Sequence, residues 1–260
     1  WKHMATLRDH PIPYQAELGG NNALYVSEHA DIDLAIGAIM TSKFGSAGQR
    51  CTALQRLIVY NKVWPEVWRQ LLIEIKKLQI GLSNDPNVKT MGPVVSEEHQ
   101  LKLQRMLMSL QHGDKCIWGG QFVLHLDGKY GHFMKPTVVL NTSSQSALWR
   151  DEIFGPILVV RLVDSLDEAI QAANDSEFGF SAAIFSEDRR ELKRFRDEVD
   201  ALMMHENEGT AGGEPHVDFG GGKATGIGSR EMGKAGIEFF TRGQTLFQSN
   251  ATSGEKPPGR

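Results

Sequence analysis

The sequence predicts an α/β protein built on an open, largely parallel sheet flanked by helices. Two observations carry that expectation: short apolar runs alternate with segments whose apolar residues recur at helical spacing, and the runs follow closely enough for helical crossovers to join parallel strands. A third is the composition of the 260 residues, 40% apolar and 23% charged, which suits a chain that buries a sizeable core.

The alternation begins with a strand at Ala23–Val26. Asp31 and Asp33 then open a helix through Leu34 and Ile36, acids being favoured in a first turn. Leu57–Tyr60 reads as a buried strand. From Trp64 to Leu78, the residues Val67, Trp68, Leu71, Leu72, Ile75 and Leu78 fall on one helix face, with Pro65 suited to its first turn. Ser96, Glu97 and Glu98 start another amphipathic helix, through Leu101, Leu103, Met106, Leu107 and Leu110, that stops near Gly113. Strands follow at Lys115–Trp118 and Thr137–Leu140. The chain then alternates strand and helix: Ile157–Val163, Leu166–Ala173, Phe180–Phe185, Arg189–Val199 and Leu202–Met204.

Ten glycines lie between Gly209 and Gly236. Such density indicates loops with special backbone angles, and a long glycine-rich stretch inside a compact domain is more often functional than idle. Phe239–Phe247 is expected to return to a strand, at a sheet edge. The organisation expected is therefore an N-terminal extension at 1–14, one domain over 15–248 and a polar, disordered tail at 249–260, where Gly254, Pro257 and Pro258 fall.

With 28 basic against 32 acidic residues the formal charge is -4 and the pI near 6.2, which argues against a nucleic-acid or anionic-membrane partner. No run approaches the length of a membrane helix, and residues 1–10 lack the apolar core of a signal peptide. The two cysteines, Cys51 and Cys116, are too few for a disulfide framework or a cysteine-based metal site, so a reducing, cytoplasmic compartment is expected. No metal is expected, because no His, Asp and Glu cluster has a ligand spacing.

Cys51 ends Phe44-Gly45-Ser46-Ala47-Gly48-Gln49-Arg50-Cys51, a glycine-bearing loop between an expected helix and an expected strand. It is either an approachable nucleophile, with Arg50 and Arg56 favouring the thiolate, or a small buried apolar residue. Glu17, in Ala16-Glu17-Leu18-Gly19-Gly20-Asn21, is either a general base whose pKa partial burial would raise or a solvated turn carboxylate. Glu152, in Asp151-Glu152-Ile153-Phe154-Gly155-Pro156, poses the same choice. Cys116, in an expected strand, reads as a packing residue.

Taken together, these segments resemble the aldehyde dehydrogenase superfamily. The Glu-Leu-Gly-Gly block at Glu17, the Gly-Gln-x-Cys block at Gly48 to Cys51 with Arg56 beyond it, the Glu-x-Phe-Gly-Pro block at Glu152, and Phe219-Gly220-Gly221-x-Lys223 with Gly226, Gly228, Arg230, Glu231 and Gly233 stand in family order. Glu17 and Cys51 are 34 residues apart, Cys51 and Glu152 101, and the resemblance runs from about Pro13 to Phe247. It implies that Cys51 attacks an aldehyde carbonyl, and that Glu17 activates the water that hydrolyses the resulting thioester. Glu152, Phe154 and Gly19 would bind NAD or NADP, and Gly209, Thr210 and Phe219 would line the aldehyde pocket. The Gly-Gln-Arg-Cys-Thr and Gly-Gly-Asn-Asn forms look similar to the semialdehyde branches.

Members of that family are almost twice as long. The resemblance therefore implies the catalytic half, with the Rossmann-type cofactor domain missing from this sequence. A small-molecule aldehyde and either a homo-oligomer or a complementing cofactor-binding chain are the partners implied, with Phe239–Phe247 as the strand of subunit contact. Two other readings remain: a cofactor-independent thioesterase or esterase using Cys51 and Glu17, and a non-catalytic or split-enzyme fragment that acts as an oligomerisation partner.

Overall fold

A computed structural model describes residues 13–82, 91–126, 129–140 and 143–248. The expected tail at 249–260 and residues 1–12 of the expected extension lie outside the described residues. The fold is α/β, as the alternation predicts. Its centre is a seven-stranded sheet in the order β11-β10-β2-β3-β8-β7-β4, where β2 is Asn22–Val26, β3 Leu54–Tyr60, β4 Lys115–Trp118, β7 Thr137–Leu140, β8 Ile157–Val163, β10 Ser181–Phe185 and β11 Met203–Glu206. Every neighbouring pair is parallel except β4 with β7, so one antiparallel strand closes an otherwise parallel sheet.

Helices cover both faces. Helices α1 (Ile32–Phe44) and α2 (Trp64–Lys77) pack on one, through Ala35, Ile36, Ile39, Val67, Leu71 and Ile75. On the other lie α3 (Glu97–Met108), the short α4 (Ala147–Arg150), α5 (Leu166–Asn174) and α6 (Arg189–Glu198). Strands sandwiched in this way read as continuous apolar runs. In β2, Ala23 and Tyr25 enter one core while Leu24 and Val26 enter the other. The helix starts follow the side-chain signals: Asp31, Ser96 and Ser165 each accept a bond from a first-turn N–H of the helix that follows.

Elements of two residues escape any periodicity. Strand β1 (Ala16–Glu17) pairs with β13 (Gly226–Ile227), and β9 (Phe178–Gly179) with β12 (Gly222–Lys223). A hairpin of β5 (Phe122–Leu126) and β6 (Lys129–Met134) was likewise not expected. The strand expected at Phe239–Phe247 is corrected: Phe239 and Phe240 end helix α7 (Gly233–Phe240), and 241–248 carry no regular structure. Gly233 and Met232, both at positive φ, set up that helix, and the aromatic pair follows its turn instead of extending.

The parallel order decides where the motif blocks meet. Glu17–Asn21 precede β2, Gly48–Ala53 precede β3, Glu152–Pro156 precede β8 and Phe178–Phe180 precede β10 or begin beside it. All four turns therefore lie at the amino edge of the sheet, whereas ligands of open α/β sheets more commonly sit at the carboxyl edge. The glycine-rich segment closes over the same edge through β12 and β13.

Candidate active site

Three of the turns touch through glycine backbones. Gly48 has φ +69°, and a Cβ there would lie 2.4 Å from the Gly155 carbonyl oxygen. Ser46 and Ala47 before it are also left-handed, so three such residues in a row turn the chain sharply ahead of Cys51. A Cβ on Gly20 would lie 2.3 Å from the Cys51 carbonyl oxygen. Gly20 N–H donates to Glu152 Oε1 at 3.0 Å. The Glu17, Cys51 and Glu152 blocks thus form one constellation.

Cys51 is half-buried, and burial pushes its thiol pKa up; the charges of Glu152 and Glu17 push it further, while the N–H groups of Thr52 and of Cys51 itself pull it down. The expectation that Arg50 and Arg56 favour the thiolate is corrected. Arg50 is exposed and donates to Ser46 Oγ at 3.1 Å. Arg56 is 2% exposed and spends its N–H groups on the carbonyls of Asn21, Ala172, Ala173 and Asp175. Burial lowers its pKa, yet a guanidinium bonded in this way stays cationic at neutral pH.

Glu17 lies under the glycine-rich segment. A Cβ on Gly220 would be 2.8 Å from Glu17 Oε1, and Glu17 Oε2 is buried with no hydrogen-bond partner. Burial raises the Glu17 pKa, and the charge of Glu231 adds to it. Burial also raises the Glu152 pKa, against the Gly20 N–H and Lys102. Beside Glu152 opens a cleft of about 350 Å³, lined by Arg150, Asp151, Asp175, Ser176, Glu177 and Phe178. Gly19 is flush with it: a Cβ there would meet Glu152 Oε2 at 3.0 Å and the Phe178 ring at 3.1 Å.

Phe154 has φ +57°, a conformation few non-glycine residues adopt. Helix α3 holds it: His99 Nε2 lies 2.6 Å from the Phe154 carbonyl oxygen, and Lys102 Nζ donates to the Glu152 carbonyl at 2.9 Å. The residues expected to line the aldehyde pocket have the following contacts. Phe219 packs edge-to-face on Phe180 at 5.0 Å, next to the Gly220 that faces Glu17. Gly209 is pressed on α1, where a Cβ would lie 2.2 Å from Ser42 Oγ. Thr210 is fully buried behind the Cys51 loop, its hydroxyl donating to the Thr52 carbonyl at 3.0 Å and its own carbonyl accepting from Ser181 Oγ at 3.0 Å. Cys116, read as packing, is instead exposed at the sheet's last strand.

Sequence reasoning missed the amides that hold this arrangement. Asn22 Nδ2 donates to the carbonyls of Cys51 and Ala53, each at 2.8 Å, and Asn21 Nδ2 to those of Trp149 and Arg150 at 2.7 and 3.0 Å. The Gly-Gly-Asn-Asn block was visible, but nothing local says that its amides bridge turns 29 to 129 residues away. Among the described residues, no three His, Cys, Asp or Glu side chains gather as a metal would need. No described helix is long and apolar enough to cross a membrane.

A family model described as "Aldehyde dehydrogenase family" matches residues 2–246. An alpha-ketoglutaric semialdehyde dehydrogenase of Bacillus subtilis (strain 168) is 38% identical over 238 residues, 90% of this chain and 48% of that protein. A 2,5-dioxopentanoate dehydrogenase of Saccharolobus solfataricus is 36% identical over 236 residues, with the same coverage of 90% and 48%. The crystal structure of a betaine aldehyde dehydrogenase from Staphylococcus aureus in complex with NAD+ matches with a TM-score of 0.85 at 31% identity, over 91% of this chain and 47% of that one. The chain spans about half the length of the relatives it matches.

Proposed function

The chain belongs to the aldehyde dehydrogenase family, and from that premise we propose that it carries the nucleophile and base of an NAD- or NADP-dependent oxidation of an aldehyde to a carboxylic acid. The observation that carries the reading is Gly20, whose backbone touches Cys51 on one side and Glu152 on the other, three residues from Glu17.

In this reading Cys51 Sγ, as thiolate, adds to the aldehyde carbonyl: a C–S bond forms and the carbonyl oxygen becomes the oxyanion of a thiohemiacetal. The N–H groups of Cys51 and Thr52 are the chain's own donors toward such charge. Burial holds the thiol pKa above its ordinary value, so the thiol's proton must be taken up; in this reading Glu17, whose charge acts on the thiol together with that of Glu152, takes it. NAD or NADP, when bound, supplies the acceptor for the hydride lost by the aldehyde carbon. Glu152 and Phe154 would hold its ribose and ring, and the side-chain-free Gly19 beside the Glu152 cleft fits a flat ring's close approach. Once Glu17 has released the thiol's proton to solvent, it takes a proton from the water that attacks the thioester; a C–O bond forms, the C–S bond breaks and Cys51 leaves as thiolate. A carboxylate with a raised pKa suits that exchange near neutral pH.

The substrate proposed is a semialdehyde, because several relatives, the Bacillus subtilis enzyme among them, are named for such substrates. The adenosine and pyrophosphate would be held outside the residues described. Calorimetric titration of the chain with NAD and NADP tests the cofactor assignment; a chain that binds neither, alone or with a partner, would overturn it. Rates with α-ketoglutarate semialdehyde and with simple aliphatic aldehydes test the substrate. Faster turnover of the aliphatic aldehydes would remove the semialdehyde assignment.

A further inference from the structure

One side chain that the proposed reaction does not use grips Glu152 from both sides. Gln55, second residue of β3 and 3% exposed, accepts a bond from Ile153 N–H through Oε1 at 2.8 Å. Its Nε2 donates to the Asp151 carbonyl at 2.7 Å and lies 3.4 Å from the Leu148 carbonyl. The two bonded backbone groups flank Glu152, so the carboxamide does for this turn what a neighbouring peptide does in a sheet ladder. The partners also dictate the chemistry. Position 151 offers an acceptor and position 153 a donor, so a carboxylate of the same length leaves the acceptor unmet and an apolar chain leaves both unmet. The Glu152 carboxylate in turn receives Gly20 N–H, whose residue abuts the Cys51 carbonyl.

We propose that Gln55 is a positioning residue for Glu152, fixing its carboxylate against Gly20 and relative to the Cys51 thiol. The part of this that concerns a cofactor ribose rests on the function proposed above; the part that concerns the thiol does not. The charged groups in play are Glu152 and Glu17 at the thiol, and around Glu152 Lys102 from α3 with Arg150, Asp151, Asp175 and Glu177 along the cleft.

The test is the pH dependence of Cys51 alkylation by iodoacetamide between about pH 6 and 10, which reports thiolate. It is read in a Cys116→Ser background, because Cys116 is exposed, and compared for the unaltered chain, Glu152→Gln, Gln55→Met and the double variant. Glu152→Gln should move the inflection to lower pH, and in the Gln55→Met background the same change should move it by less than half as much. An equal shift in both backgrounds, or no shift from Glu152→Gln, overturns the proposal. If Gln55→Met does not fold, hydrogen exchange of the unaltered chain decides: the Ile153 amide should exchange as slowly as the amides of β3, and exchange at the rate of an exposed turn overturns the assignment. A failure to bind NAD would remove the cofactor reading while leaving the thiol comparison intact.

Discussion

The Gly20 backbone sits against the Cys51 carbonyl oxygen so closely that a Cβ at position 20 would lie 2.3 Å from it. Backbone cannot yield as the end of a flexible side chain can, so Gly20→Ala must displace either the turn before β2 or the loop that carries the thiol. The cost expected is about 1–3 kcal/mol, the range of overpacking in a filled interior. Urea unfolding measures it. The Gly20–Glu152 bond should be lost in the same step, so an unchanged unfolding midpoint would mean that the turns are not packed as described.

The Glu17 pKa is raised by burial and then by Glu231, and the base role proposed for it requires the ionised form. The thioester-hydrolysis step, read as deacylation after a nitrophenyl ester burst, should therefore rise with pH through an inflection above the ordinary glutamate range. Glu231→Gln removes a like charge and should shift that inflection to lower pH. Glu17→Gln should slow deacylation by about 10²–10⁴-fold, the usual contribution of a general base, while the burst persists. A deacylation rate insensitive to Glu17→Gln would transfer the role to another group.

The same residue has a stability signature. An acid whose folded pKa is raised keeps its proton in the native state while the unfolded chain ionises, so stability falls as pH rises from the ordinary glutamate range to the folded value. Glu17→Gln should accordingly raise the thermal midpoint at pH 7 and have little effect near pH 4, read by circular dichroism. A destabilised variant at pH 7 would show that the carboxylate is better satisfied than its orphaned Oε2 indicates.

The sheet was legible because strands buried on both faces are continuous apolar runs, as at Leu57–Val59 and Ile157–Val160. The motif blocks were legible as types of residue, but their meeting was not. That depends on strand order, which places turns before β2, β3 and β8 side by side. Arg56 shows the limit most clearly. Its charge and its place five residues after Cys51 suggested help for the thiolate, whereas its partners lie up to 119 residues away at the end of α5. Two-residue pairs such as β1 with β13 carry too few positions for a period, and the Phe239-Phe240 pair has strand propensity that the turn at Met232 and Gly233 overrides.

Arg56 caps the last carbonyls of α5 and grips the Asn21 carbonyl with two donors. Lysine keeps the charge but lacks the planar fork, so Arg56→Lys should leave two or more buried carbonyls unmatched, at about 1–3 kcal/mol each. A loss of at least about 2 kcal/mol in urea unfolding is the expected result. Since the guanidinium does not face the thiol, the alkylation inflection of folded Arg56→Lys protein should stay within about 0.3 pH units of the parent's, a shift worth about 0.4 kcal/mol. A larger upward move would restore the electrostatic role that the geometry denies it.

Lys43, in the last turn of α1, is 1% exposed, and burial pushes its pKa down to about 7. A base with a depressed folded pKa stays neutral in the native state while the unfolded chain takes up a proton. Stability contributed by the neutral form is therefore full above the ordinary lysine value and falls as pH drops toward 7, by up to about 1.4 kcal/mol per unit. Lys43→Met removes the titration and keeps an unbranched apolar stem of similar length. It should be more stable than the parent at pH 7, with the advantage shrinking steadily toward pH 10. Urea midpoints at both values, corrected for the parent's own pH trend with an exposed Lys76→Met control, measure the difference. An advantage that is absent at pH 7, or equal at both values, would mean that the ammonium is charged and satisfied in the folded chain.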